Sequence, residues 1–183
     1  MFTPGTIISE FTSKKGKKIV FRLPVLDDVP LLTQYVNTIS DEDTFVTLSG
    51  EHYTEEEEQK VVEEWIMKMS KNDKVVLVGF DGPTLVAIAD IDRLARRSKH
   101  VGHLGISIAK DYRDEGIGTK LMETLVELAR KMGLQMIELV AYLPNTQAIH
   151  VYTKVGFKEV GRIPKKALFH GELIDEVIML KSL

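Results

Sequence analysis

The run Ile106-Ser107-Ile108-Ala109-Lys110-Asp111-Tyr112-Arg113-Asp114-Glu115-Gly116-Ile117-Gly118-Thr119 decides how this chain is read. It opens as the end of a strand and passes through a loop carrying Gly116 and Gly118. A helix over about 114–132 follows, because Ile117, Leu121, Leu125, Leu128 and Met132 recur at three- and four-residue spacing and share one buried face. Glycines let an anion approach the main chain, and the free N–H groups and dipole of a helix start favour negative charge there. The pattern predicts a phosphate or pyrophosphate site. A Walker loop would need Gly-Lys-Ser/Thr after its spacer, which is missing. A dinucleotide loop would need a third glycine where Leu121 stands. What remains is Arg-x-x-Gly-x-Gly at Arg113, Gly116 and Gly118.

Downstream, a strand is expected over 136–141 and a helix over about 146–154. That helix starts at Asn145, a good N-cap, and stops at Gly156. Two strands close the chain near 157–163 and 173–180. Upstream, strands are expected near 103–108, over 85–91 and over 75–80, the last two joined by Asp81-Gly82-Pro83. Thr54-Glu55-Glu56-Glu57 is a capping box ahead of Val61, Val62, Trp65, Ile66 and Met69 at helical spacing. Asp27 and Asp28 precede another helix, with Pro30 in its first turn. At the start, Ile7-Ile8 with Phe11 and Ile19-Val20-Phe21 flank Ser13-Lys14-Lys15-Gly16-Lys17-Lys18, a hairpin with a solvated turn. Strands that come first as an antiparallel run and then as βαβ predict an α+β fold with a mixed sheet.

The 183 residues suit one domain, residues 1–183, at roughly 150 residues per domain. The absence of cysteine excludes thiolate chemistry, disulfide scaffolds and zinc ribbons. A net charge of −3 argues against nucleic-acid binding through a basic surface. No apolar run is long enough for a membrane span, and the N-terminus lacks a signal-peptide pattern. A soluble cytoplasmic protein is expected. His100 and His103 would face opposite sides of a strand, and His52, His150 and His170 have no ligand spacing, so no metal is expected.

Arg113-x-x-Gly116-x-Gly118 resembles the pyrophosphate motif of the GCN5-related N-acetyltransferases (the GNAT superfamily). The run Asn145-Thr146-Gln147-Ala148-Ile149-His150-Val151-Tyr152-Thr153-Lys154-Val155-Gly156-Phe157 is similar to that family's second motif, Asn-x-x-Ala-x-x-x-Tyr-x-x-x-Gly-Phe. The ending, Gly161-Arg162 through Lys165 to Asp175, is similar to members acting on amino acids or protein N-termini. Motif detail covers residues 101–158. The resemblance implies a GNAT-like, mixed but mostly antiparallel twisted sheet flanked by helices, with an extra N-terminal strand. It implies acetyl-CoA as cosubstrate and a primary amine as acceptor: an amino acid, a peptide or protein N-terminus, or a small amine.

By the same resemblance, the main chain at Ile106, Ser107 and Ile108 binds the acetyl and pantetheine end. The main chain of Asp114, Glu115, Gly116, Ile117, Gly118 and Thr119 cradles the pyrophosphate beside Arg113. Asn145 holds the pantetheine arm and Tyr152 protonates the departing thiolate. Spacing alone would make Tyr152 a core residue on the Asn145 face, about 10.5 Å along the helix. Asp114 and Glu115 depart from the usual basic or small residues and are expected to point to solvent. Val140 stands where some members carry a glutamate that serves as the general base, which leaves Glu138 and His103 as candidate general bases. Ten acidic residues between Asp41 and Glu64, against the single Lys60, would attract a cationic acceptor if they line its site. Two other readings stand beside this one: a CoA-binding regulatory module without turnover, and an acyltransferase using another donor such as succinyl-CoA. Family members often pair through their C-terminal strands, which implies a homodimer.

Overall fold

The computed structural model describes residues 2–183. Strands β1 (Ile7–Thr12) and β2 (Lys18–Arg22) form the predicted hairpin. Helices α1 (Val29–Asp41) and α2 (Glu55–Ser70) follow, then β3 (Lys74–Asp81), β4 (Thr84–Arg93) and β5 (Val101–Ile108). The chain ends with α3 (Ile117–Lys131), β6 (Met136–Tyr142), α4 (Thr146–Val155), β7 (Lys158–Phe169) and β8 (Glu172–Ser182). The eight strands make one sheet in the order β1-β2-β3-β4-β5-β6-β8-β7. This is the α+β, mixed and mostly antiparallel sheet expected, including the extra N-terminal strand.

Among the described residues, only β5 and β6 run parallel, and they pair at just three positions, Val101 with Met136, Gly102 with Ile137 and His103 with Glu138. Beyond that rung β5 stays paired with β4 and β6 with β8. The sheet therefore parts into two arms between Leu104–Ile108 and Leu139–Tyr142. Helices cover its two faces. On one, Leu32, Tyr35, Ile39 and Val62 pack onto Val78, Phe80 and Leu85. On the other, Leu121, Leu125, Tyr152 and Phe157 pack with Ile19, Leu77, Ala89, Leu139 and Val177. Alternation along β5 divides these faces: Ser107 meets Tyr35 of α1, and Ile108 lies against Gly118 of α3.

Three local differences from the sequence reading have physical causes. Helix α3 starts three residues later than expected, because Asp114 (φ 63°) and Gly116 (φ 86°) are left-handed. Strand β7 runs on to Phe169, carried past Pro164 by a bulge between Ile163 and Ala167. The Asp28 side chain does not cap α1. Its carboxylate instead accepts both terminal nitrogens of Arg22 and the Val25 N–H at 2.8 Å. The Thr54 capping box forms as read, with Thr54 N–H donating to Glu57 at 2.9 Å. Among the described residues, no helix is long and apolar enough to cross a membrane.

Candidate active site

A cleft of about 870 Å³ opens where β5 and β6 part. Its lining includes Ile106, Ser107, Ile108, Arg113, Asp114, Gly116, Gly118, Thr119, Asn145 and Tyr152. Thus ten of the residues singled out in two separate stretches of sequence meet in one cavity. Ile117 does not line it. Its side chain is buried in the core, so only its main chain can serve the site.

Main-chain geometry explains the β5 wall. Ala109 donates its N–H to Val86 of β4 at 2.9 Å, which sets the alternation of the antiparallel pair. Ser107 and Gly105 then turn their main-chain groups toward β4. Ile106 and Ile108 turn theirs the other way, into the gap that β6 has left. The Ile108 carbonyl accepts Arg113 Nε at 2.9 Å. Both N–H groups face the cleft, and neither has a partner among the described residues.

The start of α3 adds more donors. Gly116 is its N-cap and offers no side chain to cap it. Lys120 N–H closes the first turn onto the Gly116 carbonyl at 3.1 Å. The N–H groups of Ile117, Gly118 and Thr119 therefore have no partner within the helix. With the helix dipole, they give the loop the chemistry that favours an anion.

Glu115 corrects an expectation. Asp114 is exposed as foreseen, but Glu115 is 1% exposed and faces the β1–β2 hairpin, not solvent. Ser13 Oγ and Lys17 Nζ each donate to it at 2.8 Å, and Lys15 Nζ lies at 3.3 Å. The Lys17 hydrogen bond leads the interactions that hold its carboxyl down at about 2, against the opposing effect of burial. The carboxylate is thus turned away from the free N–H groups and neutralised.

Asn145 uses its side-chain oxygen to cap α4, accepting the Ala148 N–H at 3.2 Å. Tyr152 lies one face along the same helix, 9% exposed, with its ring 6.4 Å from that of Phe157. Burial pushes its phenol up to about 12. Among the described residues, no group hydrogen-bonds its hydroxyl.

His103 and Glu138 form the last rung of the β5–β6 ladder, Nδ1 to Oε1 at 3.3 Å, and lie outside the cleft lining. A row of charge that the sequence did not reveal continues from them. Lys74 of β3 pairs with Asp90 and Asp92 of β4. Gly105 leaves room for Asp90, whose Oδ1 would lie 3.0 Å from a Cβ there. Burial raises the Asp90 carboxyl above its ordinary range.

The opposite wall of the cleft is also new. The loop after α1 crosses the open end of the gap. At one end, Glu42 accepts the Lys110 N–H at 3.2 Å and pairs with Arg113. At the other, Phe45 packs on Phe169 (4.6 Å between centroids) and Tyr142 (6.5 Å), and Asp43 pairs with His170 at 2.8 Å. No local sequence signal marks these contacts, which join residues up to 127 positions apart. They also occupy much of the acidic stretch. Asp41 pairs with His52, Glu56 with Lys60 and Glu64 with Lys68, and of the ten acidic residues only Asp43 lines the cleft.

Comparison with known proteins agrees with this geometry. Residues 38–157 match the family described as "Acetyltransferase (GNAT) family". The L-amino acid N-acetyltransferase AaaT of Escherichia coli is 33% identical over 93 residues, which is 50% of this chain and 57% of that protein. The chain thus spans little more than half the length of that relative. A GNAT-family acetyltransferase from Streptococcus pneumoniae superposes with a TM-score of 0.83 at 28% identity, covering 90% of this chain and 99% of that one. RimL, a ribosomal alpha-N-protein acetyltransferase solved with coenzyme A, shares the fold alone, with a TM-score of 0.82 at 15% identity over 97% and 98% of the two chains.

Proposed function

Because the chain belongs to the acetyltransferase (GNAT) family, we propose that it moves an acetyl group from acetyl-CoA to a primary amine by direct attack. The observation that carries this reading is the meeting of three features in one cleft: the outward N–H groups of Ile106 and Ile108, the uncapped start of α3, and the Tyr152 phenol. The volume is of the size that encloses a small-molecule ligand.

The parts take the following roles. The main chain of Ile117, Gly118 and Thr119 holds the pyrophosphate, with Gly116 admitting it to the backbone. The Ile106 and Ile108 N–H groups hold the acetyl and pantetheine end and stabilise negative charge on the thioester oxygen as the amine adds. Asn145, its oxygen fixed by capping, keeps its amide nitrogen free for the pantetheine arm. The amine nitrogen bonds to the carbonyl carbon, the carbon–sulfur bond breaks, Tyr152 gives its proton to the thiolate, and the proton that the nitrogen sheds passes to water, from which Tyr152 is reprotonated. A raised phenol pKa keeps that proton in place at neutral pH.

The acceptor must lose a proton. Asp43 in the lining is paired with His170, Asp114 belongs to the glycine loop, His150 is exposed on α4 with no hydrogen-bond partner among the described residues to orient it, and His103 and Glu138 face each other outside the cleft. This supports an amine that is already partly unprotonated. An α-amine, with a pKa near 7.7–8.0, meets that condition better than a lysine side chain near 10.4. Pairing within the acidic stretch weakens the case for a cationic acceptor.

Calorimetry with acetyl-CoA, with succinyl-CoA and NAD as controls, tests the reading. Micromolar binding selective for acetyl-CoA, followed by release of free thiol on adding α-amines, is the expected result. No binding of any acyl-CoA refutes it.

A further inference from the structure

The four turn lysines have different fates. Lys18 pairs with Glu10 within the hairpin at 2.7 Å. Lys15 and Lys17 are spent on Glu115. Lys14 makes no ion pair among the described residues, and it lines the cleft.

Its position is fixed from behind. The Lys14 N–H donates to the Glu115 carbonyl at 3.0 Å, which ties the hairpin to the glycine loop at this residue. Ser13 and Lys17, on either side, grip the Glu115 carboxylate. The Lys17 ammonium also sits 3.7 Å from the Tyr112 ring centroid. The Lys14 side chain then runs along Gly116. A Cβ placed on that glycine would lie 3.8 Å from both its Cγ and its Cε. The Lys14 ammonium, which has no ion-pair partner among the described residues, thus shares the cleft lining with Gly116, Gly118 and Thr119 at the start of α3.

The charges around this point are arranged consistently. Glu115 would repel an anion if it faced the cleft, and it faces the hairpin. Two lysines neutralise it, and the third is left over on the cleft side. A solvated turn would have no reason to divide its lysines in this way.

We propose that Lys14 is a phosphate-binding residue of the cleft, its ammonium closing over a phosphate group of CoA held at the start of α3. The N-terminal hairpin is then part of the cosubstrate site as well as the sheet edge. The proposal rests on the acetyl-CoA reading above.

The test is a calorimetric titration of the full chain and of Lys14→Ala with acetyl-CoA and with S-acetylpantetheine, which lacks the phosphates. The expected result is a loss of acetyl-CoA affinity of about two- to fivefold, the size of one solvent-accessible charge pair. S-acetylpantetheine affinity stays unchanged, and Lys14→Arg restores acetyl-CoA binding. Comparing CoA with dephospho-CoA then locates the contact. An equal loss on both assigns it to the pyrophosphate, and a loss on CoA alone assigns it to the 3′-phosphate. Equal acetyl-CoA affinity in Lys14→Ala and the parent overturns the proposal and leaves the acetyl-CoA reading intact. Absence of acetyl-CoA binding in the parent defeats both.

Discussion

The two walls of the cleft are made of different material. The β5–α3 wall is main chain: N–H groups left over where a strand loses its partner and where a helix begins without a cap. The wall opposite is side chain: Glu42 on Arg113, Phe45 on Phe169 and Tyr142, Asp43 on His170. Main-chain donors are supplied by any residue type that accepts the local dihedrals, so the first wall needs only the right glycines and the right strand register. The second wall depends on particular partners and changes with each of them. The comparison predicts that the first wall fixes the acyl donor, and that the second wall is where the acceptor is chosen.

The largest effect is expected at Tyr152, on the α4 side of the cleft. Tyr152→Phe keeps the packed ring and removes only the proton. The turnover rate should fall by about 10²–10⁴, the range for one general acid, with acetyl-CoA affinity unchanged. Steady-state rates beside calorimetry check this, and equal turnover would refute the role. In the parent, loss of rate from this group is expected only as pH rises toward 12.

The next effect concerns how the β5 wall is placed. Gly102 lies in the three-pair joint between β5 and β6. A Cβ there would come 2.5 Å from Ile91 Cγ2 and 2.7 Å from Leu134 Cδ1, so part of the core must move. Gly102→Ala should cost about 1–3 kcal/mol in urea unfolding, as overpacking does. Gly161→Ala, in the exposed β7 with no atom within 4 Å of the new methyl, should stay within about 0.5 kcal/mol. Equal costs at the two sites would show that the joint is not held by close packing.

A smaller effect should separate the two walls. Glu42→Ala removes the acceptor of the Lys110 N–H and of Arg113 and frees one end of the crossing loop. Acceptor KM should rise several-fold while acetyl-CoA affinity holds. Cleavage of the loop after Asp41 in limited proteolysis should also quicken. A loss of acetyl-CoA affinity as large as the change in KM would mean the walls do not act separately.

The same contrast decides how much could be read beforehand. The β5–α3 wall was legible because its requirements are local: Arg113, Gly116 and Gly118 stand within six residues, and Asn145 and Tyr152 are two turns apart on one helix. The strands and helices were legible from apolar periodicity and caps, and their ends failed where left-handed residues or a bulge intervened, as at Gly116 and Ile163. The loop wall was not legible, since nothing near Phe45 foretells Phe169. Nor was the fate of Glu115. A carboxylate in an anion loop reads as a defect to be turned outward. It becomes an anchor only when strands distant in sequence bring Ser13 and Lys17 against it.

That anchor gives the smallest prediction, and one with a definite sign. The Glu115 carboxyl titrates at about 2 in the folded chain against an ordinary 4.5. A carboxyl lowered on folding adds stability that is fully present above its unfolded value and is lost as pH falls from there toward the folded one. The stability gap between the parent and Glu115→Gln should therefore be flat from pH 5 to 8 and close between about 4.5 and 2. Taking the difference between the two proteins cancels the titration of the other carboxylates. Urea unfolding of both across this range checks it. A gap that changes near neutral pH would mean that some group other than this carboxylate holds the hairpin to the glycine loop.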